Sequence, residues 1–374
     1  MIPLFQVNIP KDIGSIIEKV LLSGQITEGP ASFEFQRQLE SWLSVKHASL
    51  VNSGTSALTL ACRLSGCQPG KFVISTPQTC LATNEAIMSL GADIIWSDID
   101  PLTGAIDPFF VEKILKTDAR AKDVVAIMCV DWAGNPVNLK ELRRIADSHG
   151  IKLIEDAAHS FGALYENAKV GNQAHFTCFS FQAIKHLTTV DGGALVCELK
   201  EDHDRSVLLR WFGSARAVNR DPVRWEGDVS EYGYKFHMND VTASIGIEQL
   251  KTIDSVIDKH KSNGKQLLEF IDSLPSGKIQ RLRMEQNSES SHWIFSLLLP
   301  NKEARQRFVE EMKKCGVSTG IVHTRNDAYS LFSKYKTGLK GMDEFSERMI
   351  NVPCGWWIDS HDLYHICKSI EQSV

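Results

Sequence analysis

The alternation of two sequence patterns between about residues 50 and 200 restricts the fold most. Segments with helical spacing lie between short runs rich in Val and Ile. The apolar runs are 71–76, 92–100, 123–132 and 151–158, and the helical segments are about 79–90, 108–117 and 138–149. Near-continuous apolar runs are typical of strands buried on both faces of a parallel sheet. Repeated strand–helix–strand units therefore predict an α/β fold with a mainly parallel sheet.

Two further strand candidates, 175–181 and 192–199, are joined by a short link. The link permits antiparallel pairing and leaves a parallel crossover open. After about residue 240 the pattern changes, and the later elements are a long helical region at 239–274, a strand at 292–300 and helices at about 302–315 and 360–372. We therefore predict a large domain over 1–240 and a smaller α+β domain over 241–374.

Composition and charge exclude several classes of protein. The chain has 374 residues, a net charge of −5 and no basic run, which argues against a nucleic-acid partner. No apolar run approaches the ~18 residues of a membrane helix, and the first residues lack the pattern of a signal peptide. The nine cysteines are scattered without metal-type spacing. We expect reduced thiols, no metal, no membrane partner and a cytoplasmic location.

Acidic residues end three of the predicted strands: Asp98, Asp131 and Asp156. Ligands of open α/β sheets bind beyond the carboxyl ends of the strands, so each acid is a candidate binding residue. The simpler reading of each is turn chemistry, because Asp is common where strands end. Asp156 differs in its context, since it ends "KLIEDAAHSFGA" at the mouth of a buried strand. We single it out as a candidate for holding a cationic group.

Small residues precede an Ala/Leu-rich helix in "NSGTSALTLACRLSG", residues 52–66. The free N–H groups of a helix start, together with nearby hydroxyls, bind phosphate. The alternative is ordinary capping of the helix by Ser or Thr.

A lysine, Lys185, lies in "FSFQAIKHLTTVDGGAL" between a strand-like run and the turn at Gly192 and Gly193. Taken alone, it reads as a solvated surface charge. Together, a phosphate cradle, an acid and a lysine are what pyridoxal phosphate requires. The helix start holds the phosphate, the acid pairs with the pyridine nitrogen and the lysine carries the cofactor covalently.

Three long motifs then follow one another along nearly the whole chain, at 23–61, 153–196 and 232–250. In order and spacing they resemble the DegT/DnrJ/EryC1/StrS sugar aminotransferases, which are fold type I pyridoxal-phosphate enzymes. The resemblance implies an aspartate-aminotransferase-like large domain with a mostly parallel mixed sheet. It also implies a homodimer with shared active sites.

The resemblance implies the cofactor-binding residues one by one. Lys185 would carry pyridoxal 5'-phosphate covalently and move protons, and Asp156 would pair with the pyridine nitrogen. The remaining cofactor contacts would come from Gly54, Thr55, Ser56, Cys80, His159, Ser180 and Lys235. Cys80 stands where relatives often have a stacking aromatic residue. Lys235 stands where many relatives have an Asn that reaches the partner's cofactor phosphate.

The resemblance also implies the reaction. A nucleotide-linked keto-sugar would receive an amino group from L-glutamate, with pyridoxamine phosphate between the two half-reactions and 2-oxoglutarate released. Because Lys185 is not replaced by His, transamination is favoured over sugar dehydration. We expect the substrate-binding residues to be Gly29, His323, Arg325 and Asn326. Two alternatives stay open: a keto-cyclitol aminotransferase, and a non-enzymatic regulator that retains the fold.

Overall fold

The computed structural model of the chain describes residues 1–214 and 228–374. The strands of the described residues are, in chain order, β1 (Ala48–Val51), β2 (Phe72–Ser75), β3 (Asp93–Trp96), β4 (Val124–Val130), β5 (Lys152–Asp156), β6 (Leu164–Tyr165), β7 (Ala168–Lys169), β8 (Phe176–Ser180), β9 (Gly193–Cys197), β10 (Gln280–Arg281), β11 (Ser288–Glu289), β12 (Phe295–Leu298) and β13 (Met349–Val352).

Helices connect and cover these strands. The α-helices are α1 (Ile13–Leu22), α2 (Pro30–Leu43), α3 (Gly54–Leu64), α4 (Leu81–Met88), α5 (Pro108–Thr117), α6 (Leu139–Ser148), α7 (Lys200–Leu209), α8 (Asp240–Leu250), α9 (Ile253–Ser273), α10 (Lys302–Lys314), α11 (Lys340–Arg348) and α12 (Ser360–Ser373). Short 3-10 helices occupy Ala121–Asp123, Trp132–Gly134, Asn326–Ala328 and Ser330–Tyr335. Within the described ranges, no helix has both the length and the apolar character needed to cross a membrane.

The main sheet has seven strands in the order β1-β9-β8-β5-β4-β2-β3. The strands from β8 to β3 pair in parallel, whereas β9 runs antiparallel to both of its neighbours. This arrangement confirms the predicted α/β fold with a mostly parallel mixed sheet. It also resolves the open alternative at 175–199, because β8 and β9 form an antiparallel pair.

Both faces of the sheet are covered, as the continuous apolar runs predict. Along β5, Leu153 belongs to a core shared with α2, α6 and α8, whereas Ile154 belongs to a core shared with α3 and α4. This alternation is the period of two that any strand imposes on its side chains. The result is a helix–sheet–helix sandwich whose central strands end at one common edge.

The C-terminal part has its own core around the antiparallel sheet β10-β12-β13. Helices α9, α10 and α12 pack on it, and the N-terminal Ile2 joins the same cluster. The predicted strand at 292–300 is shorter in the structure, where β12 spans Phe295–Leu298 and the preceding Ile294 N–H donates to the Ala133 carbonyl. The predicted helical region at 239–274 is divided between α8 and α9. The domain division at 240/241 stays a prediction.

One buried carboxylate joins the starts of α2 and α8. The Asp240 side chain accepts hydrogen bonds from the N–H groups of Gly29 (2.8 Å), Ala31 (3.2 Å) and Ser32 (2.9 Å), and from the Ser32 hydroxyl (2.6 Å). A Cβ on Gly29 would lie 2.7 Å from a carboxylate oxygen of Asp240. Gly29 therefore leaves room for the cap that satisfies the first turn of α2.

Asp240→Ala should destabilise the protein by about 3 kcal/mol, because hydrogen bonds to a buried charged group are each worth about 1.5–3 kcal/mol and several donors would lose their acceptor. The measurement is urea unfolding followed by circular dichroism. Asp12→Ala is the matched control, since Asp12 precedes α1 without making a side-chain cap bond. Equal effects of the two substitutions would refute the role given to Asp240.

Candidate active site

A cavity of about 330 Å³ opens where the central strands of the main sheet end. Three elements bring functional groups to it: the end of β5, the start of α3 and the loop between β8 and β9. The residues that line it are Ser53, Gly54, Thr55, Leu58, Thr79, Cys80, Ala82, Val130, Asp156, Ala158, His159, Cys178, Ser180, Gln182, Ile184, Lys185, Asp191, Gly192, Trp293 and His323. The structure thus gathers most of the predicted cofactor residues at one site.

Lys185 lies on the loop that joins the antiparallel strands β8 and β9. Two hydrogen bonds close the loop at its base. The Phe181 N–H donates to the Gly192 carbonyl at 2.8 Å, and the Phe181 carbonyl accepts the Thr189 N–H at 2.9 Å. Burial lowers the pKa of Lys185 to about 8, against the raising influence of Asp156 and Cys80. An amine with such a pKa can exchange protons near neutral pH.

Asp156, the last residue of β5, is buried at the floor of the cavity. Its carboxylate accepts the Thr83 hydroxyl at 2.6 Å and the Ala158 N–H at 3.2 Å. Burial raises the pKa of this carboxyl, whereas the two hydrogen bonds and the charge of Lys185 lower it. A cation placed beside Asp156 would favour the ionised form.

The other two acids that end predicted strands serve the fold instead. Asp98 accepts the N–H groups of Ile99, Gly341 and Met342 and so caps the first turn of α11. Asp131 is fully buried, accepts the Ser160 hydroxyl at 2.6 Å, and does not line the cavity. Burial raises the pKa of Asp131 to about 6. Among the three, only Asp156 faces the candidate site.

The start of α3 lines one end of the cavity. The Ser53 hydroxyl caps the helix by accepting the Ser56 N–H at 3.1 Å. The N–H groups of Gly54 and Thr55 belong to the first turn of α3, where an N–H group has no acceptor inside the helix. They are therefore available to an anion. A Cβ on Gly54 would lie 2.8 Å from the Cβ of Ser180, which holds the helix start close to the end of β8.

Ser56, which the sequence also places at the phosphate, turns away from the cavity. It is buried, and its hydroxyl donates to the Asn52 side chain at 2.6 Å. Ser53 lines the cavity in its place, although the sequence analysis does not assign it. Ser53 therefore both caps α3 and lines the cavity.

Aromatic and imidazole rings form one wall of the cavity. His159 stacks on Trp293 with a centroid distance of 3.8 Å and an interplanar angle of 11°, and the ring of His323 lies 5.9 Å from that of His159. Within the described part of the chain, His159 Nδ1 and His323 Nε2 are buried and have no hydrogen-bond partner. Burial lowers the pKa of His159 well below its usual range and that of His323 to about 4. Both rings are therefore neutral at pH 7.

Besides Ser56, four residues of the sequence-based assignment lie outside the cavity: Gly29, Lys235, Arg325 and Asn326. Gly29 faces Asp240, and Lys235 is exposed. The Arg325 guanidinium pairs with Asp327 at 2.6 Å, and the Asn326 amide donates to the Thr79 carbonyl at 2.8 Å. Their assignment to substrate or cofactor stays a prediction.

Besides Ser53, Trp293 and Thr83 are residues of this site that the sequence analysis does not identify. Trp293 lies in "SHWIFSLLLP", a run that predicts only a buried strand. Thr83 lies inside α4 and is 73 residues from the carboxylate to which it donates. Contacts between such distant segments have no local signal in the sequence.

The chain was compared with known proteins. The model of the DegT/DnrJ/EryC1/StrS aminotransferase family matches residues 8–371. A UDP-4-amino-4,6-dideoxy-N-acetyl-beta-L-altrosamine transaminase of Campylobacter jejuni is 31% identical over 354 residues, covering 93% of this chain and 90% of the relative.

Solved structures show the same similarity. AtS13 from Actinomadura melliaura matches with a TM-score of 0.92 and 34% identity, over 100% of this chain and 98% of that one. The sugar aminotransferase CalS13 from Micromonospora echinospora matches with a TM-score of 0.92 and 30% identity, over 100% of both chains.

Thr83→Val tests the electrostatics of Asp156. The folded-state pKa of Asp156 is raised above the unfolded value of ~3.9, so ionisation costs the folded state free energy. This loss of stability is absent at pH values below the pKa of Asp156 in the unfolded chain. It reaches its full size at pH values above the pKa of Asp156 in the folded protein. Without the Thr83 hydroxyl the pKa should rise further, so the variant should lose about 1.5 kcal/mol more stability at pH 8 than at pH 4.5, the size of one hydrogen bond to a charged group.

Urea unfolding at the two pH values measures this difference. Thr59→Val is the matched control, because the buried Thr59 hydroxyl donates to the Thr55 carbonyl at 2.9 Å, which does not titrate. Its effect on stability should be independent of pH. A Thr83→Val effect that is equally independent of pH would show that the hydroxyl does not act on the ionised carboxylate.

Proposed function

Because this chain belongs to the DegT/DnrJ/EryC1/StrS aminotransferase family, which depends on pyridoxal phosphate, we propose that it transfers an amino group from L-glutamate to a nucleotide-linked keto-sugar. The observation that carries the proposal is one cavity lined by Lys185, Asp156 and the start of α3. The relative from Campylobacter jejuni is named for a transamination of a UDP-linked amino sugar, and it aligns with nearly the whole chain.

The residues of the cavity fit pyridoxal phosphate. Its volume of about 330 Å³ lies in the range of roughly 300–1,000 Å³ that is usual for small-ligand sites. The N–H groups of Gly54 and Thr55 would hold the phosphate, with Ser180 adding a hydroxyl. Among the described residues, His159 Nδ1 is buried without a hydrogen-bond partner. It offers a polar contact to the substituents of the cofactor ring. Structures with the same fold are known in pyridoxal-phosphate and pyridoxamine-phosphate forms.

The chemistry divides between the cofactor and two side chains. When bound, the cofactor supplies a ring that withdraws electrons from the substrate carbon bearing nitrogen. Asp156 would hold a proton on the pyridine nitrogen, since its buried carboxylate gains most from a cation there. Lys185 Nζ would carry the cofactor and would accept and return the proton of the substrate carbon, because its pKa is about 8.

On the substrate side, His323 is the assigned residue that lines the cavity. Its neutral ring offers a donor or an acceptor to a sugar hydroxyl. Within residues 1–214 and 228–374, His323 Nε2 is buried and has no hydrogen-bond partner. Arg325 would bind substrate only after releasing Asp327 or Asp343, with which it pairs here.

We also propose a homodimer with shared sites, in which Lys235 serves the partner's cavity. Lys235 is exposed and does not line the cavity of its own chain. Its carbonyl accepts the Asn52 side chain at 3.3 Å, so the residue lies next to the segment that starts α3. An ammonium there would make a charge-assisted contact with a phosphate.

Lys185→Arg should abolish the visible absorption of the lysine-bound cofactor and slow the half-reaction with glutamate by at least about 100-fold, the usual size of a general-base contribution. Absorption spectra and stopped-flow mixing with glutamate measure the two effects. Lys46→Arg, at an exposed lysine, is the control. Wild-type turnover by the Lys185→Arg variant would falsify the assignment.

A substrate panel tests the acceptor. We expect turnover with nucleotide-linked keto-sugars and a kcat/KM at least about 100-fold lower with the same sugars lacking the nucleotide, because the binding energy of about 3 kcal/mol from the nucleotide would be lost. Keto-inositols are included in the panel. A preference for them would replace the nucleotide-sugar assignment with the keto-cyclitol alternative.

Mixed dimers test the shared site. Lys235→Ala alone should weaken cofactor binding about tenfold, the loss of roughly 1.4 kcal/mol. Co-expression of Lys185→Ala and Lys235→Ala chains with different tags gives dimers that carry one lesion on each chain. If Lys235 serves the partner, one site of each such dimer is intact, and activity returns at limiting cofactor. Mixed dimers without restored activity would place Lys235 outside the partner's site.

A further inference from the structure

Trp293 lies against the lysine on which the proposed function depends. Lys185 Nζ is 3.9 Å from the centroid of the Trp293 ring. The indole Nε1–H donates to the Ile184 carbonyl at 2.9 Å, which ties the ring to the residue that precedes Lys185. The sequence separates the two residues by more than a hundred positions, so their contact is a property of the fold.

The Trp293 ring is held rigidly. It is only 2% exposed, His159 stacks on it at 3.8 Å, and the ring of Phe5 lies 4.9 Å away. Lys185 by contrast has a long side chain that remains partly accessible through the cavity. A flexible amine thus contacts a fixed aromatic surface.

We propose that Trp293 is a positioning residue that holds Lys185 Nζ against its indole ring whenever this nitrogen is not joined to the cofactor. The inference rests on the proposed role of Lys185 as the cofactor lysine. In each turnover Lys185 Nζ would be released from the cofactor and would have to rejoin the same cofactor carbon. A nitrogen that is held in one place loses less entropy when it rejoins that carbon. The Trp293 ring supplies this place, with its centroid 3.9 Å from Nζ.

The electrostatic argument is a balance at one nitrogen. Burial removes water from Lys185 and disfavours its charge, and the carboxylate of Asp156 opposes this effect from β5. Cys80, at the start of α4, also faces the amine, and the rings of His159, His323 and His186 complete its surroundings. The face of an indole attracts a cation, most strongly where water is excluded. Trp293 therefore replaces part of the lost hydration of the ammonium.

The test is the pKa of Lys185 in the full chain freed of cofactor. Competitive acetylation across a range of pH, read by mass spectrometry, reports the free amine of Lys185, with the exposed Lys46 as internal reference. Trp293→Phe keeps an aromatic face and should leave the pKa within a few tenths of a unit. Trp293→Leu removes the face and should lower the pKa by about one unit, the 1.36 kcal/mol equivalent of a desolvated cation–π contact.

A second readout separates position from charge. The rate at which the cofactor-free protein captures pyridoxal phosphate is followed by absorbance at high pH, where the amine is neutral in every variant. Trp293→Leu should lower this plateau about threefold relative to Trp293→Phe, because the neutral amine keeps only the weaker N–H···π contact with the ring. Both substitutions lose the bond from Nε1 to the Ile184 carbonyl, so the comparison isolates the aromatic face.

An unchanged Lys185 pKa and capture plateau in a folded Trp293→Leu protein would overturn the proposal. If Trp293→Leu does not fold, Trp293→Met takes its place, because Met is not aromatic and fills irregular space. The pKa is measured without cofactor, so it tests Trp293 independently of the proposed function. If Trp293→Leu shifts the pKa of Lys185 as expected while the Lys185→Arg variant remains active, the proposed function is refuted. The contact between Trp293 and Lys185 is then still supported.

Discussion

The close approach of Gly193 to two other segments is the contact on which the site depends. A Cβ on this residue would lie 2.7 Å from the Ser53 carbonyl oxygen and 2.7 Å from the Phe179 carbonyl oxygen. Only glycine fits where β9 leaves the loop and passes the start of α3 on one side and β8 on the other. The reversal of β9 in a parallel sheet therefore brings the loop of Lys185 and the start of α3 together. Both elements line the cavity, and a single crossing of backbones fixes their relative position.

Burial disfavours the charged forms of three groups that line the cavity. It lowers the pKa of Lys185, raises that of Asp156 and lowers that of His159. Each shift has the same cause, the removal of water from a charged form. A ligand with a basic ring nitrogen and a carbonyl carbon would offer a counterpart to Asp156 and to Lys185. The binding of such a ligand would offset the desolvation of these two groups, which lie in a preorganised site.

The sequence predicts the sheet well because buried strands have a strong local signature. The apolar runs at 71–76, 123–132 and 151–158 each contain one strand of the main sheet. The acids that end strands show the limit of local patterns. Asp98 and Asp156 follow similar runs, yet Asp98 caps α11 from 243 residues away, and only Asp156 faces the cavity. Which partner an acid meets is decided by tertiary contacts, and the same holds for Gly29 and Asp240.

The aromatic surface of the cavity comes from an unexpected part of the chain. Motif comparison directs attention to Cys80, where relatives often carry a ring, and this position offers only a thiol. In the structure the rings come instead from Trp293 and from the imidazoles of His159 and His323, which pack against one another. Trp293 lies in the segment that leads into β12 of the C-terminal sheet, whereas its ring belongs to the core between the main sheet and α3. Phe295 of β12 belongs to the C-terminal core, so a change in that core can reach Lys185 along this short segment and through one indole ring.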